Sequence, residues 1–363
     1  MSGNDRATRD PRPATTLVIQ TAFLGDVVLT TPLLARLAEL HGPVDVVTTP
    51  AAAALVETHP AVGTVIRYDK RGADRGPGGL WRLGARLRAR RYARVYLPHR
   101  SWRSAALALL AGAAERVGFS DSPAAVTYTR RVARPTSGHE VERLLRLAGE
   151  SGTTASGVEL EGSSRVTPPV HVALTADDRA AADAWLRERG VGDGFVALAP
   201  GSIWGTKRWP GYAELAAAID APVVVIGGRE DAELAESVAA AARGRGHNAA
   251  GVLGLRGSAA LISRAAVLVT NDSAPLHLAT AVGTPVVAVF GPTVPAFGFG
   301  PRGTRDVVVE HPSLACRPCS AHGPEVCPLG HHRCMKELSI EAVAAAVAAV
   351  SGVEAYRAIR TGH

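Results

Sequence analysis

The stretch "LVIQTAFLGDVVLTTPLLARL", Leu17 to Leu37, decides how the chain is read. An apolar run beginning at Thr16 ends at Ile19. A polar turn containing Gly25 and Asp26 follows, and "VVLTTPLLARL" then has the look of a helix. A strand that hands over to a helix through a glycine-containing turn is the first half of a βαβ unit. Asp26 then stands at the carboxyl end of a strand, where open α/β sheets gather their ligands. An aspartate there can cap the helix that follows. The glycine just before it also leaves the backbone room for a ligand, and this favours a functional reading.

Outward from that stretch the same grammar repeats. "TLVIQ", "VDVVTT", "TVIRYD" and "ARVYLP" alternate with alanine- and leucine-rich helical segments in the first half. "FVALAPG", "PVVVIGG", "VLVTND" and "PVVAVFG" do so in the second. Runs apolar on both faces predict parallel sheets covered on both sides. The pattern restarts after "GESGTTASGVELEGSSRVTPP", a Gly/Ser/Thr/Pro-rich stretch near 149–169 that reads as a linker. The expected fold is therefore α/β, with two doubly wound Rossmann-like domains facing across a cleft. The first spans 14–165 and the second 170–338. A disordered tail is expected over 1–13. A C-terminal helix and tail, with Ser339 as N-cap, is expected over 339–363.

The length of 363 residues and 47% hydrophobic content suit two full cores. No signal-like apolar run opens the chain, and no window reaches the roughly 18 apolar residues of a spanning helix. The expected setting is cytoplasmic. The net charge of +7 is unevenly spread. Residues 1–165 hold 23 Lys+Arg against 15 Asp+Glu, and the remainder 17 against 18. Between Arg67 and Arg103 there are 12 basic residues, with only Asp69 and Asp74 as acids. Such a surface suits phosphates, on a substrate, a nucleic acid or an anionic lipid, or is simply a solvated arginine face. With 5% aromatic residues, single-strand nucleic-acid binding is disfavoured.

Several motifs fall at predicted strand ends. "APGSIWGTKRWPGY" offers a small-residue loop with Ser202 and Lys207 just before a proline that suits a helix start, a place for a diphosphate. "VIGGREDAEL" puts Glu230 where a carboxylate can accept ribose hydroxyls. "VLVTNDSAPLHLATAVGTPVVAVFGPT" ends a strand at Asn271, Asp272 and Ser273 and opens a helix, with His277 on the same face as Ser273. Thr293 closes the next strand on the same sheet edge. No G-x-G-x-x-G follows the first strand of either half, and no G-x-x-x-x-G-K-[ST] appears, which argues against a dinucleotide dehydrogenase and a P-loop enzyme. All four cysteines, Cys316, Cys319, Cys327 and Cys334, lie in an excursion over 314–335. Clustered with His322, His331 and His332, they make a structural zinc or iron–sulfur site a candidate, beside a disulfide or reduced thiols.

Together "LGDVVLTTP" (24–32), "PGSIWGTKRWP" (200–210), "TNDSAPLHLATAVGTPVVAVFGPT" (270–293) and "CPLGHHRCM" (327–335) resemble the bacterial lipopolysaccharide heptosyltransferases, most closely the heptosyltransferase II branch. These are family 9 glycosyltransferases of the GT-B fold. The resemblance implies inverting transfer of a heptose from ADP-heptose to the Kdo–heptose core on lipid A, with no cofactor needed for catalysis and no nucleic-acid partner. Asp26 matches the family's catalytic base. Lys207 matches the donor-diphosphate lysine, and Glu230 the ribose glutamate. Asp272, Ser273 and His277 match the donor-binding segment. Ile203 departs from the hydroxyl residue of some relatives, leaving Ser202 as the loop hydroxyl. Arg100 and Arg103, after a first-domain strand, are candidates for the acidic acceptor. A peripheral contact with the inner membrane fits "LWRLGARLRARR". The rival readings are a GT-B enzyme with another nucleotide sugar and a non-catalytic binder of anionic lipid or nucleic acid.

Overall fold

The computed structural model describes residues 15–149 and 166–353. The expected N-terminal tail, most of the linker and the end of the C-terminal tail lie outside the described residues. The chain divides into two compact units, Met1–Ala173 and Leu174–His363.

The first unit holds six strands: β1 (Thr16–Ile19), β2 (Val44–Thr48), β3 (Val62–Arg67), β4 (Arg94–Leu97), β5 (Glu115–Phe119) and β6 (Arg130–Val132). All pairings are parallel, in the order β3-β2-β1-β4-β5-β6. The second unit holds β7 (Val196–Ala199), β8 (Val223–Val225), β9 (Gly246–Asn248), β10 (Val267–Asn271), β11 (Val286–Phe290) and β12 (Val307–Glu310). Its order, β12-β11-β10-β7-β8-β9, is the same doubly wound arrangement, again all parallel. Each sheet therefore has a switch point, between β1 and β4 and between β7 and β10, where the connections diverge and leave a crevice at the strand ends.

Central strands are buried along their whole length: every residue of β1, β2, β7, β10 and β11 is inaccessible. That is why they read as continuous apolar runs. Of the four edge strands, β3 is the longest in either sheet, with six residues, and the other three are short and mixed. β6 is "RRV", β9 is "GHN" and β12 is "VVVE". In the first unit, Leu83 and Leu87 from helix Gly76–Ala89 and Ala105, Leu107 and Ala108 from helix Trp102–Ala111 share one core with Leu17, Ile19, Val95 and Leu97. In the second, helix Ile340–Ser351 contributes Val343 and Val347 to the core beneath β10 and β11. Ser339 starts that helix as expected, its hydroxyl accepting from Ala342 N–H at 3.2 Å. Gly283, at φ +81°, stops helix Ala274–Val282 and turns the chain into β11. Among the described residues, no helix is long and apolar enough to cross a membrane.

Candidate active site

In the first unit the loop after β1 leads directly into helix Leu24–Leu29. Asp26 occupies the third position of that helix, and its carboxylate accepts from the Phe23 N–H at 3.1 Å. The aspartate thus caps its own helix. That does not exhaust its chemistry. Burial, joined by the Glu140 carboxylate, pushes its carboxyl from the usual 3.8 to about 6, against the opposing pull of the Phe23 amide and Arg134. Glu140, itself buried, is held by Arg134 at 2.5 Å and Arg143 at 3.6 Å. An aspartate whose carboxyl is raised to about 6 on a sheet edge is suited to take a proton.

Around the same switch point stands a group of cations. Lys70, in the loop after β3, donates to the Thr21 carbonyl at 2.6 Å, which ties it to the loop that leads to Asp26. Its ammonium is pushed down by burial and by the nearby Arg103 and Arg71 charges. Burial and the Lys70 charge also push His99 down to about 4, so its ring is neutral at physiological pH. Of the two arginines expected to meet the acceptor, Arg103 stands exposed at the start of helix Trp102–Ala111, within the field of Lys70. Arg100 is engaged with Asp121 at 3.0 Å. Sequence reasoning missed Lys70, whose only signal was rarity: it is one of three lysines. It also missed Glu140 and Arg134, which reach Asp26 from the far end of the sheet.

In the second unit the switch point lies between the loops after β7 and β10. Lys207 and Asp272, 65 residues apart, meet there in a buried ion pair at 2.6 Å. Lys207 Nζ also donates to the Asp272 carbonyl at 3.2 Å. Two of its three N–H donors are thus used, and one remains. Thr293, after β11, donates its hydroxyl to the same Asp272 oxygen at 2.6 Å. Ser273 is the N-cap of helix Ala274–Val282, and no side-chain cap occupies the start of that helix. Pro275 has no N–H and the Leu276 N–H donates to the Ser273 carbonyl at 3.1 Å, so of the first three helical residues only Ala274 offers its amide to an anion. One turn on, His277 is buried with its ring 6.5 Å from that of Phe299.

Asn271 supports the arrangement from below. It donates to the Pro200 carbonyl at 2.9 Å and accepts from the Trp209 N–H and the Tyr212 hydroxyl, each at 3.2 Å, so the β7 loop is fixed to the end of β10. Ser202 is half-buried, its hydroxyl accepting from Trp204 N–H at 3.3 Å. Glu230 is exposed in the turn Arg229–Asp231 after β8, its carboxylate folded over Gly228. Its neighbour Asp231, unremarked in the sequence, accepts from Gly228 N–H at 3.0 Å and lies against Gly201 where a Cβ would clash. Lys207, Asp272, Ser273 and Thr293 are thus brought together, with Ser202 and Glu230 on flanking loops of the same edge.

The cysteine expectation is corrected. Among the described residues no group of three or more His, Cys, Asp or Glu is placed to hold a metal ion, and all four thiols are free. Cys334 is buried in the second core, where burial pushes its thiol up to about 11. Cys319 is exposed and donates to the Cys316 carbonyl at 3.4 Å, and Cys316 and Cys327 are half-buried. What the excursion does is pack on the β7 loop. His332 bonds the Thr206 carbonyl at 2.8 Å, and the His322 and Trp204 rings stack at 6.3 Å.

The family model for glycosyltransferase family 9 (heptosyltransferase) matches residues 80–327. Lipopolysaccharide heptosyltransferase 2 of Salmonella typhimurium is 28% identical over 295 residues, 77% of this chain and 84% of that protein. Among solved structures, a glycosyl transferase family 9 protein from Veillonella parvula superposes with a TM-score of 0.78 at 24% identity, over 92% of this chain and 96% of that one. The E. coli ADP-heptose lipopolysaccharide heptosyltransferase II gives 0.75 at 24% identity, over 92% and 98%. These likenesses establish the two-unit GT-B fold. With the family model spanning most of the sequence, the chain belongs to glycosyltransferase family 9, the heptosyltransferases, and is a glycosyltransferase.

Proposed function

We propose that the chain moves a heptose from ADP-heptose onto the Kdo–heptose inner core of lipopolysaccharide, with inversion at the anomeric carbon. The donor would be held by the second unit. The remaining N–H of Lys207 and the Ala274 amide at the helix start suit the diphosphate, and they would stabilise the charge that gathers on ADP as it leaves. Glu230 would accept the ribose hydroxyls, with Ser202, His277 and Thr293 completing the donor edge. Asp272 acts on this reading through Lys207, whose ammonium it fixes in place. Asp26 is the base that takes the proton of the attacking acceptor hydroxyl. The cations Lys70 and Arg103 suit the carboxylates and phosphates of such an acceptor. The observation that carries the reading is the place of Asp26, at the helix start after β1 on the sheet edge, where burial and Glu140 raise its carboxyl to about 6. An ionised aspartate with that affinity for a proton is a stronger base than an ordinary one. The setting on this reading is the cytoplasmic side of the inner membrane, where the lipid-linked acceptor is exposed.

The test is a donor panel. ADP-heptose, ADP-glucose and UDP-glucose are each offered with a Kdo–heptose acceptor, and nucleotide release is followed. The expected result is acceptor-dependent release from ADP-heptose and at least roughly tenfold less from the others, the scale of one lost set of sugar contacts. Preference for a UDP-sugar would overturn the assignment, as would no transfer from any donor.

A further inference from the structure

Between Cys316 and Cys319 the excursion carries Arg317, whose side chain is 7% exposed. Burying a guanidinium is costly unless its N–H groups are matched. Here the backbone matches most of them. Nε donates to the Gly291 carbonyl, Nη2 to the Thr293 carbonyl at 3.1 Å and Nη1 to the His311 carbonyl at 2.8 Å. Nη2 also meets the Glu310 carboxylate at 2.7 Å, so the fork spans the ends of the paired strands β11 and β12. The Pro292 carbonyl accepts from the Cys319 N–H at 2.8 Å. Gly291, Pro292 and Thr293 are all buried just past β11. Buried carbonyls outside a ladder need partners, and segment 317–319 supplies them for all three.

Thr293 links this fork to the donor edge. Its hydroxyl and the Lys207 ammonium share one Asp272 oxygen, each at 2.6 Å. The place of the Thr293 backbone therefore helps decide where that carboxylate and its ammonium stand. The same excursion holds the other side of the pair. The Thr206 hydroxyl donates to the Pro324 carbonyl, and His332 bonds the Thr206 carbonyl. Gly323 lies against the Lys207 stem, where a Cβ would stand 3.4 Å from Lys207 Cγ.

We propose that Arg317 is a positioning residue of the diphosphate site, acting through Thr293 and Asp272 on the Lys207 ammonium. The inference rests on the reading of Lys207 as a diphosphate ligand. A planar fork reaches carbonyls at two strand ends at once, which a lysine cannot do from one nitrogen. Arg317→Lys keeps the charge beside Glu310 and removes the fork.

Calorimetric titration of the full chain with inorganic pyrophosphate and with ADP tests this. Arg317→Lys should weaken binding of both roughly tenfold, the scale of one hydrogen bond to a charged group. Thr293→Val cuts the chain of contacts one link further on and should do the same, so it carries the test if Arg317→Lys does not fold. Each change is then repeated beside Lys207→Met and titrated with ADP. There neither should weaken binding further by more than about twofold, because the ammonium through which both act is gone. A part played only in folding would lower the fraction of chains that bind, which the stoichiometry reads. It would leave the dissociation constant alone or weaken it equally in both backgrounds. If Lys207→Met weakens pyrophosphate binding while Arg317→Lys and Thr293→Val bind as wild type does, the proposal is overturned and its premise stands. Equal weakening with and without Lys207 overturns it as well. If Lys207→Met binds pyrophosphate normally, the proposal falls together with its premise. Preference for a UDP-sugar in the donor panel would leave the proposal standing, because both donors carry the same diphosphate.

Discussion

Replacing Asp26 by asparagine should make the protein more stable while removing its activity. The carboxyl has its folded pKa raised from 3.8 to about 6. Below the lower value it is protonated in both the folded and the unfolded chain and costs nothing. Between the two values the unfolded chain releases the proton while the folded one still holds it, so stability falls as pH rises. Above about 6 the group is ionised in both states and the penalty is complete, up to about 3 kcal/mol for a carboxyl lifted this far above its ordinary value. Asparagine keeps an oxygen to accept the Phe23 N–H but carries no charge to bury. Urea unfolding of both proteins at several pH values reads the difference. Asp26→Asn should exceed wild type by about 1.5 kcal/mol near pH 5 and by up to about 3 kcal/mol near pH 7. A variant less stable than wild type near pH 7, or a gap that does not grow with pH, would refute the reasoning. Either result would mean that the carboxylate is as well solvated as an ordinary surface group.

Three further outcomes follow from the same structure. Glu140→Gln removes the carboxylate that raises Asp26 and leaves Arg134 without its 2.5 Å partner, so the acid limb of the kcat/KM profile should move to lower pH; an unmoved limb would separate Glu140 from Asp26. Lys207→Met should cost about 3 kcal/mol in chemical unfolding because it strands buried Asp272, and the double change with Asp272→Leu should cost less than the single one; a double variant worse than both singles would contradict the ion-pair reading. On brief exposure of native protein to iodoacetamide, Cys319 should be carboxamidomethylated and Cys334 spared, as peptide mass mapping would reveal; early labelling of Cys334 would contradict its place in the core.

The parts of this molecule legible in its sequence are those that a single segment encodes. "LVIQ" running into "LGDVVL" announced a strand, a loop and a helix, and the structure has them as β1 and Leu24–Leu29. The eight apolar runs are all strands, because strands buried on both faces have no reason to alternate. β5, β6, β9 and β12 were not legible. β6 and β9 have only three residues each, and Glu115, Arg131 and His247 interrupt the apolar signal of β5, β6 and β9, whereas β12, "VVVE", carries a three-valine run too brief to stand out beside the longer ones. At the site, the loops could be placed on one edge from topology alone. The pairing of Lys207 with Asp272 could not, since the two lie 65 residues apart and each looks like a free ligand in its own motif. The field of Glu140 and Arg134 on Asp26 depends in the same way on chain that returns from the far side of the sheet. The cysteines mislead for the opposite reason. Their density along the chain suggests a common target, but burial sends Cys334 inward while Cys319 stays at the surface.

The role of Asp26 as base is tested most directly by pairing two measurements on Asp26→Asn: the dissociation constant for ADP, and the single-turnover rate with ADP-heptose and a Kdo–heptose acceptor. ADP binding should equal that of wild type, because the donor groups belong to the second unit, and the rate should fall at least roughly 100-fold, the scale of losing a general base. A rate within a fewfold of wild type, with ADP bound normally, would contradict the account.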